Sequence, residues 1–144
     1  MTFLEQINKE FDVKEVDIRE YSPLTLAFIG DCVFDLIIRS IVVERANQSP
    51  EKLHRKKSNI VKASTQSAMA IALSEAGVFD EKESDIYRRG RNAKSYSSAK
   101  NASIADYRKA TGIEAVMGYL YLTGNSERAV ELTKKGLELV GLSI

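Results

Sequence analysis

Two acidic side chains stand where the surrounding sequence is otherwise apolar. Asp31 lies within the long run SPLTLAFIGDCVFDLIIRSIVVERA at 22–46, and Glu114 lies within GIEAVMGYLYL at 112–122. A carboxylate inside an apolar helix is unfavourable unless something pairs with it. If the two helices cross near these acids, the carboxylates face each other and require a cation or a shared proton. The pair is therefore the first candidate for a chemical site.

The residue types at this pair predict an oxygen-only site for Mg²⁺, with Mn²⁺ as a substitute. Such cations accept one or two carboxylates and retain several waters. His54 is the only histidine and Cys32 the only cysteine, which excludes a histidine-rich zinc or iron site and an internal disulfide. A hydrated cation beside an anion-binding surface favours phosphodiester hydrolysis. The alternative is a pair of structural acids, each satisfied by its own Arg, Lys or Tyr.

The charge distribution predicts an anionic partner, although the formal net charge is only +1. Residues 52–62 contain five Lys/Arg and no acid, and residues 86–109 contain seven Lys/Arg and one acid. The remainder of the chain is correspondingly acidic. Clustered Lys and Arg bind nucleic acid well because they release its condensed counterions. The alternative for either basic run is a solvated helix face.

Helical signals run through the whole chain and position the two acids. Ser-Pro pairs at 22–23 and 49–50 predict helix starts, and Gly77 predicts a helix end. We expect helices at 2–9, 22–46, 50–76 with a break near 62–64, 81–89 ending before Gly90, 104–123, and 126–140. The helix at 22–46 is expected to be buried on most sides, with Cys32 as a small buried hydrophobe. Residues 90–104 read as a basic loop. No segment shows the alternation of apolar and polar residues that is typical of a β-strand.

These observations predict a single all-α domain over residues 1–144 in a reducing, cytoplasmic setting. A chain of 144 residues falls within the usual size of one domain. The N-terminus has no signal-peptide pattern, and charged residues interrupt the apolar run, which disfavours a membrane span.

Four motifs carry a resemblance to the ribonuclease III family. IGDCVFDLIIR resembles the signature helix of that family, and ATGIEAVMGYLYL resembles its second acidic helix. The stretches HRKKSNIVKASTQSAMA and YRRGRNAKS are similar to the short branch, Mini-ribonuclease III, which has the catalytic domain without a double-stranded-RNA-binding domain. The likeness extends over roughly residues 20–135, and we expect no second RNA-binding domain.

This resemblance implies a homodimeric, Mg²⁺-dependent endoribonuclease that cuts double-stranded RNA to leave 5′-phosphate and 3′-hydroxyl ends. It implies a role in maturing the large-subunit (23S) ribosomal RNA precursor, with a ribosomal protein as a further candidate partner. Asp31 matches the signature aspartate and Glu114 the essential glutamate, so both would bind the metal. Leu24, Ala27 and Thr111 stand where the larger family has supporting acids, which predicts a water-rich metal shell.

Polar and basic residues outside the acidic pair are the candidates for RNA contact, since duplex RNA is bound through phosphates and 2′-hydroxyls. Asp35 is expected at the surface or a dimer interface, with an outer-shell role near the metal as the alternative. His54 is expected at the surface or on a phosphate. The predicted RNA-binding residues are Lys57, Lys62, Gln66, Arg91, Asn92, Lys94, Lys100 and Arg108.

Two other functions remain open from the sequence. One is a non-catalytic RNA-binding or ribosome-assembly module with the same fold, favoured by the missing supporting acids. The other is a helical protein-interaction domain in which both acids are structural. Cleavage of duplex RNA with Mg²⁺ separates the enzyme from the first, and salt-sensitive RNA binding separates the first from the second.

Overall fold

The computed structural model describes residues 1–94 and 103–144, and within those ranges the chain is helical without strands. The bounds are α1 Phe3–Glu10, a 3₁₀ turn at Ile18–Glu20, α2 Pro23–Arg45, α3 Pro50–Val61, α4 Ala63–Glu75, α5 Glu81–Asn92, α6 Ile104–Leu122 and α7 Ser126–Leu139. The predicted all-α class is confirmed. Each described helix is too short or too polar to cross a lipid bilayer.

Both Ser-Pro pairs start helices as predicted. The Ser22 hydroxyl accepts a hydrogen bond from the Thr25 amide at 3.2 Å, and Ser49 accepts one from Lys52 at 3.4 Å. In each case proline occupies the first turn, where its missing N–H leaves no donor unsatisfied. The caps therefore set where α2 and α3 begin.

Helix α6 lies at the centre of the fold. Helices α2, α4, α5 and α7 all pack against it, and nine of its nineteen residues are buried. Large side chains from four helices meet around it and are almost fully buried, among them Phe34, Ile38, Met69, Leu73, Ile113, Met117 and Leu132. The helix that carries Glu114 is therefore fixed on several sides.

Helix α2 is less covered than its apolar sequence predicts. Phe28, Leu36 and Val43 form an exposed apolar stripe together with Cys32, and the side chain of Phe28 is 79% exposed. The predictions that α2 is buried on most sides and that Cys32 is buried are both wrong. Hydropathy identifies apolar residues but does not show whether other residues of the same chain bury them.

Two helix boundaries test the other predictions. The break between α3 and α4 at Lys62 is confirmed. The predicted end of α5 before Gly90 is wrong, because the helix continues to Asn92. Gly90 instead lets α5 approach α6, since a Cβ there would lie 2.9 Å from the Cβ of Ala115 and 3.0 Å from the Cα of Gly112.

Candidate active site

Helices α2 and α6 touch backbone to backbone at the level of the two acids. A Cβ added to Gly30 would overlap the carbonyl oxygen of Glu114, and one added to Gly118 would overlap that of Leu26. Only glycine permits so close an approach. Because Asp31 follows Gly30 directly, the crossing places its side chain beside that of Glu114.

The carboxyl groups of Asp31 and Glu114 lie close enough to influence each other's protonation. Burial, the hydrogen bond to Asp31 and the negative charge of Asp31 raise the pKa of Glu114 from 4.5 to about 9. Glu114 therefore holds a proton at neutral pH. A bound cation would remove the need for that proton. The predicted convergence of the two acids is confirmed.

Neither acid has a cationic partner among the residues described. The salt bridges of segments 1–94 and 103–144 involve other carboxylates. For Arg and Lys, the alternative of two structural acids, each satisfied by its own Arg, Lys or Tyr, is thereby disfavoured. Asp31 is exposed and Glu114 is half-buried, so the pair opens to solvent and to a large substrate.

The donor set of this pair fits a hydrated divalent cation. In the described part of the chain, no third His, Cys, Asp or Glu joins two others closely enough to form a metal-binding group. A cation here would take oxygens from Asp31 and Glu114 and fill its remaining positions with water, which Mg²⁺ readily does.

The positions that lack the supporting acids of the larger family contribute nothing anionic. Leu24 is partly exposed and Ala27 is buried. Thr111 is also buried, and its hydroxyl donates a 3.0 Å hydrogen bond to the Tyr107 carbonyl on its own helix. Leu24 and Ala27 carry no side-chain oxygen, and the Thr111 hydroxyl is directed to its own helix.

Asp35, one turn beyond Asp31, is neutralised by two cations. The Nε of Arg39 donates to Asp35 Oδ2 at 2.7 Å, and the Nζ of Lys57 lies 3.5 Å from Oδ1. The second pair joins α2 to α3. A carboxylate held in this way is not available to an outer metal shell, so that alternative is disfavoured.

Four of the predicted RNA-binding residues are exposed in the structure. Two others have intramolecular partners: Arg91 is half-buried with its guanidinium 5.6 Å from the centre of the Tyr87 ring, and the Lys57 side chain is 13% exposed. Lys100 lies outside the described residues. The exposed candidates are Lys62, Asn92, Lys94 and Arg108.

Gln66 does not fit its predicted contact with RNA. The residue is 3% exposed, and its Nε2 donates a 2.7 Å hydrogen bond to the Val61 carbonyl. The break between α3 and α4 leaves that carbonyl without a helical partner, and the amide of Gln66 satisfies it. The predicted break was the signal that could have identified this role.

Sequence reasoning missed Arg39 as a member of the charged surface. The signal was present, because Arg39 follows Asp35 by four residues and such pairs share a helix face. The cause of the omission was its position inside an apolar run rather than inside either basic stretch.

Comparison with known proteins gives consistent matches. The Ribonuclease III domain family model matches residues 24–125. Mini-ribonuclease 3 of Clostridium tetani is 43% identical over 124 residues, 85% of this chain and 81% of that protein. Mini-ribonuclease 3 of Staphylococcus aureus is 42% identical over 123 residues, 85% of this chain and 92% of that protein. The crystal structure of protein FN1578 from Fusobacterium nucleatum superposes with a TM-score of 0.74 at 28% identity, covering 85% of this chain and 96% of that one.

Proposed function

The chain belongs to the ribonuclease III family, the endoribonucleases of double-stranded RNA, and on that premise we propose that Asp31 and Glu114 are its catalytic, metal-binding pair. One observation carries the proposal: two carboxyl groups from different helices meet in a partly buried site without a cationic partner among the described residues. Groups with strongly raised pKa values in such settings are typical of functional sites.

The chemistry follows from what the two side chains can hold. In the absence of a cation, Glu114 retains a proton that it shares with Asp31. When Mg²⁺ or Mn²⁺ is bound, it lowers the pKa of a coordinated water and neutralises charge on the phosphate. Asp31, which is exposed, and Glu114, which is half-buried, would hold such a cation through their carboxylate oxygens. Hydrolysis would leave 5′-phosphate and 3′-hydroxyl ends.

The RNA surface is proposed to include the exposed basic residues near the ends of helices. Lys62 lies at the junction of α3 and α4, Lys94 follows α5, and Arg108 lies in the second turn of α6. Lysine and arginine at these places can contact duplex phosphates without reading sequence. The exposed Asn92 adds a polar contact for phosphate or 2′-hydroxyl groups.

The active form is proposed to be a homodimer joined through Phe28, Cys32 and Leu36, the N-terminal part of the apolar stripe of α2. Phe28 and Leu36 are well exposed on one helix, and contiguous apolar patches of this kind mark interaction sites. A two-fold interface would let each subunit cut one strand of the duplex. Sedimentation at micromolar concentration should show a species of twice the 16.0 kDa chain mass.

The substrate in the cell is proposed to be the large-subunit (23S) ribosomal RNA precursor, processed in the cytoplasm. The support for this step is the similarity to relatives that carry the name Mini-ribonuclease 3. A ribosomal protein that presents the substrate is a further proposed partner. Incubating precursor RNA with the protein, and mapping the ends formed, tests the assignment directly.

A cleavage assay tests the catalytic pair. Wild-type protein, Asp31→Asn and Glu114→Gln are incubated with a long RNA duplex and Mg²⁺ or Mn²⁺, beside Glu127→Gln, which removes an exposed acid from α7. We expect cleavage by wild type and Glu127→Gln that EDTA abolishes, and strong loss in both site variants with duplex binding retained. Duplex binding without cleavage by wild type, with either metal, would favour the non-catalytic RNA-binding module instead.

A further inference from the structure

A small cavity between α2 and α3 is lined by both basic and apolar side chains. Its volume is about 170 Å³. Along α2 it lies beyond Asp35, towards the C-terminal half of the helix. The basic lining residues are Arg39, His54 and Lys57, and the apolar ones include Val42, Val43 and Leu53.

Asp35 contacts two of the three basic lining residues. It accepts a hydrogen bond from Arg39 Nε at 2.7 Å and pairs with Lys57 Nζ at 3.5 Å. The Nε contact fixes the plane of the guanidinium while its two terminal nitrogens remain outside that bond. An arginine held in this way is already oriented to donate two parallel hydrogen bonds to an oxyanion.

The two cations at Asp35 differ in how they face solvent. The Arg39 side chain is 55% exposed, whereas that of Lys57 is 13% exposed. Lys57 therefore neutralises Asp35 from the protein side, which keeps the local charge positive, and Arg39 presents that charge outward. His54, also exposed, lines the same cavity.

The dimensions of the cavity favour a single chemical group as its ligand. Sites that enclose whole small molecules occupy roughly 300–1,000 Å³, well above the 170 Å³ found here. Arginine, lysine and histidine in the lining favour an anion as the ligand. A phosphate of a polymer would place one group at the cavity while the rest of the polymer lies outside it.

The position of the cavity relates it to the catalytic pair. Arg39 follows Asp31 by eight residues on the same helix, a separation of about 12 Å along the axis at 1.5 Å per residue. A duplex whose scissile phosphate lies at Asp31 and Glu114 can therefore extend another phosphate of its backbone along α2 to Arg39.

We propose that Arg39, oriented by Asp35 and accompanied by His54, binds a backbone phosphate of the duplex beyond the scissile one. The inference rests on the proposed function, since it takes double-stranded RNA as the substrate. Asp35 acts as a positioning residue, and Arg39 contributes to substrate affinity rather than to the chemical step.

The test measures duplex binding in a Glu114→Gln background, which prevents cleavage, by fluorescence anisotropy across a series of KCl concentrations. Adding Arg39→Gln should raise Kd about tenfold and make the slope of log Kd against log salt shallower by about one phosphate contact. Arg19→Gln, which removes the same charge from an exposed arginine that pairs with Asp17, should change Kd by less than about twofold.

Kinetics and conservative variants separate a substrate contact from a structural role. With Glu114 intact, Arg39→Gln should raise KM about tenfold and leave kcat within about twofold, as expected when uniform binding is lost. Arg39→Lys should restore the salt slope but only part of the affinity, because its ammonium lacks the planar fork. Asp35→Asn, which leaves Arg39 charged but unoriented, should raise KM in the same direction by a smaller factor.

The proposal is overturned if Arg39→Gln matches the Arg19→Gln control in Kd and salt slope while wild type cleaves duplex RNA. It is also overturned if Arg39→Gln leaves affinity per dimer unchanged but dissociates the dimer in sedimentation, which would place Arg39 at a subunit contact. If the wild-type protein neither binds nor cuts the duplex, both the proposed function and this inference fail. That outcome is distinguishable from failure of the inference alone, in which wild type still cleaves the duplex.

Discussion

Glu83 and Glu114 lie on helices that pack together in the core, and their carboxyl groups have different partners. Glu83 is 2% exposed and faces Arg128, whose Nε and Nη2 each donate a 2.9 Å hydrogen bond to its carboxylate. Its Oε1 also accepts from the Asp80 amide at 3.0 Å, which completes a capping box. Glu114 faces Asp31 instead, and its pKa rises to about 9.

The comparison teaches how to distinguish a structural acid from a functional one. Breaking a buried ion pair by removing one partner is strongly unfavourable, so an acid that already has an arginine needs nothing further from outside the chain. An acid held against another acid is stable only with a proton or a cation between them. Glu83 therefore fastens α5 to α7, while Glu114 remains available to a metal.

The largest difference is expected in catalysis. Glu114→Gln should lower kcat about a thousandfold, comparable to removing a preorganised electrostatic group from other active sites. Glu83→Gln should leave kcat within about threefold at temperatures where the protein is folded, since the Glu83 carboxylate contacts Arg128 and Asp80 rather than the pair. Single-turnover cleavage of duplex RNA measures both. Equal losses in the two variants would contradict the distinction drawn between the acids.

For the free energy of unfolding, the order of the two acids should be reversed, with the larger loss at the Glu83 site. Arg128→Ala leaves Glu83 buried without its cation and should lower the free energy of unfolding by about 3–5 kcal/mol. Urea denaturation followed by circular dichroism measures the change. Glu131→Gln, which removes the exposed partner of the same arginine, is the control and should cost less than about 1 kcal/mol. A small effect of Arg128→Ala would show that the core tolerates Glu83 uncompensated.

The crossing of α2 and α6 offers a way to separate the two acids of the site without altering either. Gly30→Ala forces the helices apart, because its Cβ would overlap the Glu114 carbonyl. We expect about 1–3 kcal/mol of destabilisation from overpacking, and about a hundredfold loss of cleavage from misplaced carboxyls.

Gly136→Ala in α7 is the matched control for that crossing. Its Cβ would meet the flexible tip of the Met69 side chain at 2.8 Å, remote from the pair. We expect a modest loss of stability and unchanged kcat. Full activity in Gly30→Ala would be incompatible with a site set by the helix crossing.

The smallest expected effect is a pH dependence of stability. Between pH 4.5 and about 9, folded Glu114 keeps a proton that the unfolded chain has lost. The folded state then binds more protons, so the contribution of Glu114 to the free energy of unfolding falls as pH rises. Glu114→Gln should remove this decline and have a higher free energy of unfolding than wild type at pH 8 in EDTA.

Mg²⁺ should reduce the fall in the free energy of unfolding with rising pH, because its binding requires Glu114 to lose its proton. Denaturation curves collected at several pH values, with EDTA or with Mg²⁺, measure the difference between wild type and Glu114→Gln. Parallel pH curves for the two proteins in EDTA would contradict a raised pKa at Glu114.

Helix positions were the part of the fold most accessible from sequence. The Ser-Pro caps and the break at Lys62 are local signals, and the structure confirms them. The end of α5 was misplaced because Gly90 serves close packing against α6 rather than helix termination. The same residue type has both uses, and only a neighbouring helix distinguishes them.

The residues of the candidate site were likewise only partly predictable from the sequence. Asp31 and Glu114 were identifiable because an acid in an apolar run is conspicuous. Gln66 was misassigned, since a polar residue next to a basic stretch gives no sign that it is buried against the Val61 carbonyl. Arg39 was overlooked because it lies inside an apolar run rather than in either basic stretch, although its partner Asp35 is on the same helix.

The amino-acid sequence alone determined the helical class, most helix starts and the two acids that could share a site, because caps, periodicity and an isolated charge are properties of neighbouring residues. The tertiary structure decided which acids receive cations, which apolar face stays uncovered and how closely α2 approaches α6. Those outcomes depend on side chains distant in the chain that meet only when the helices pack.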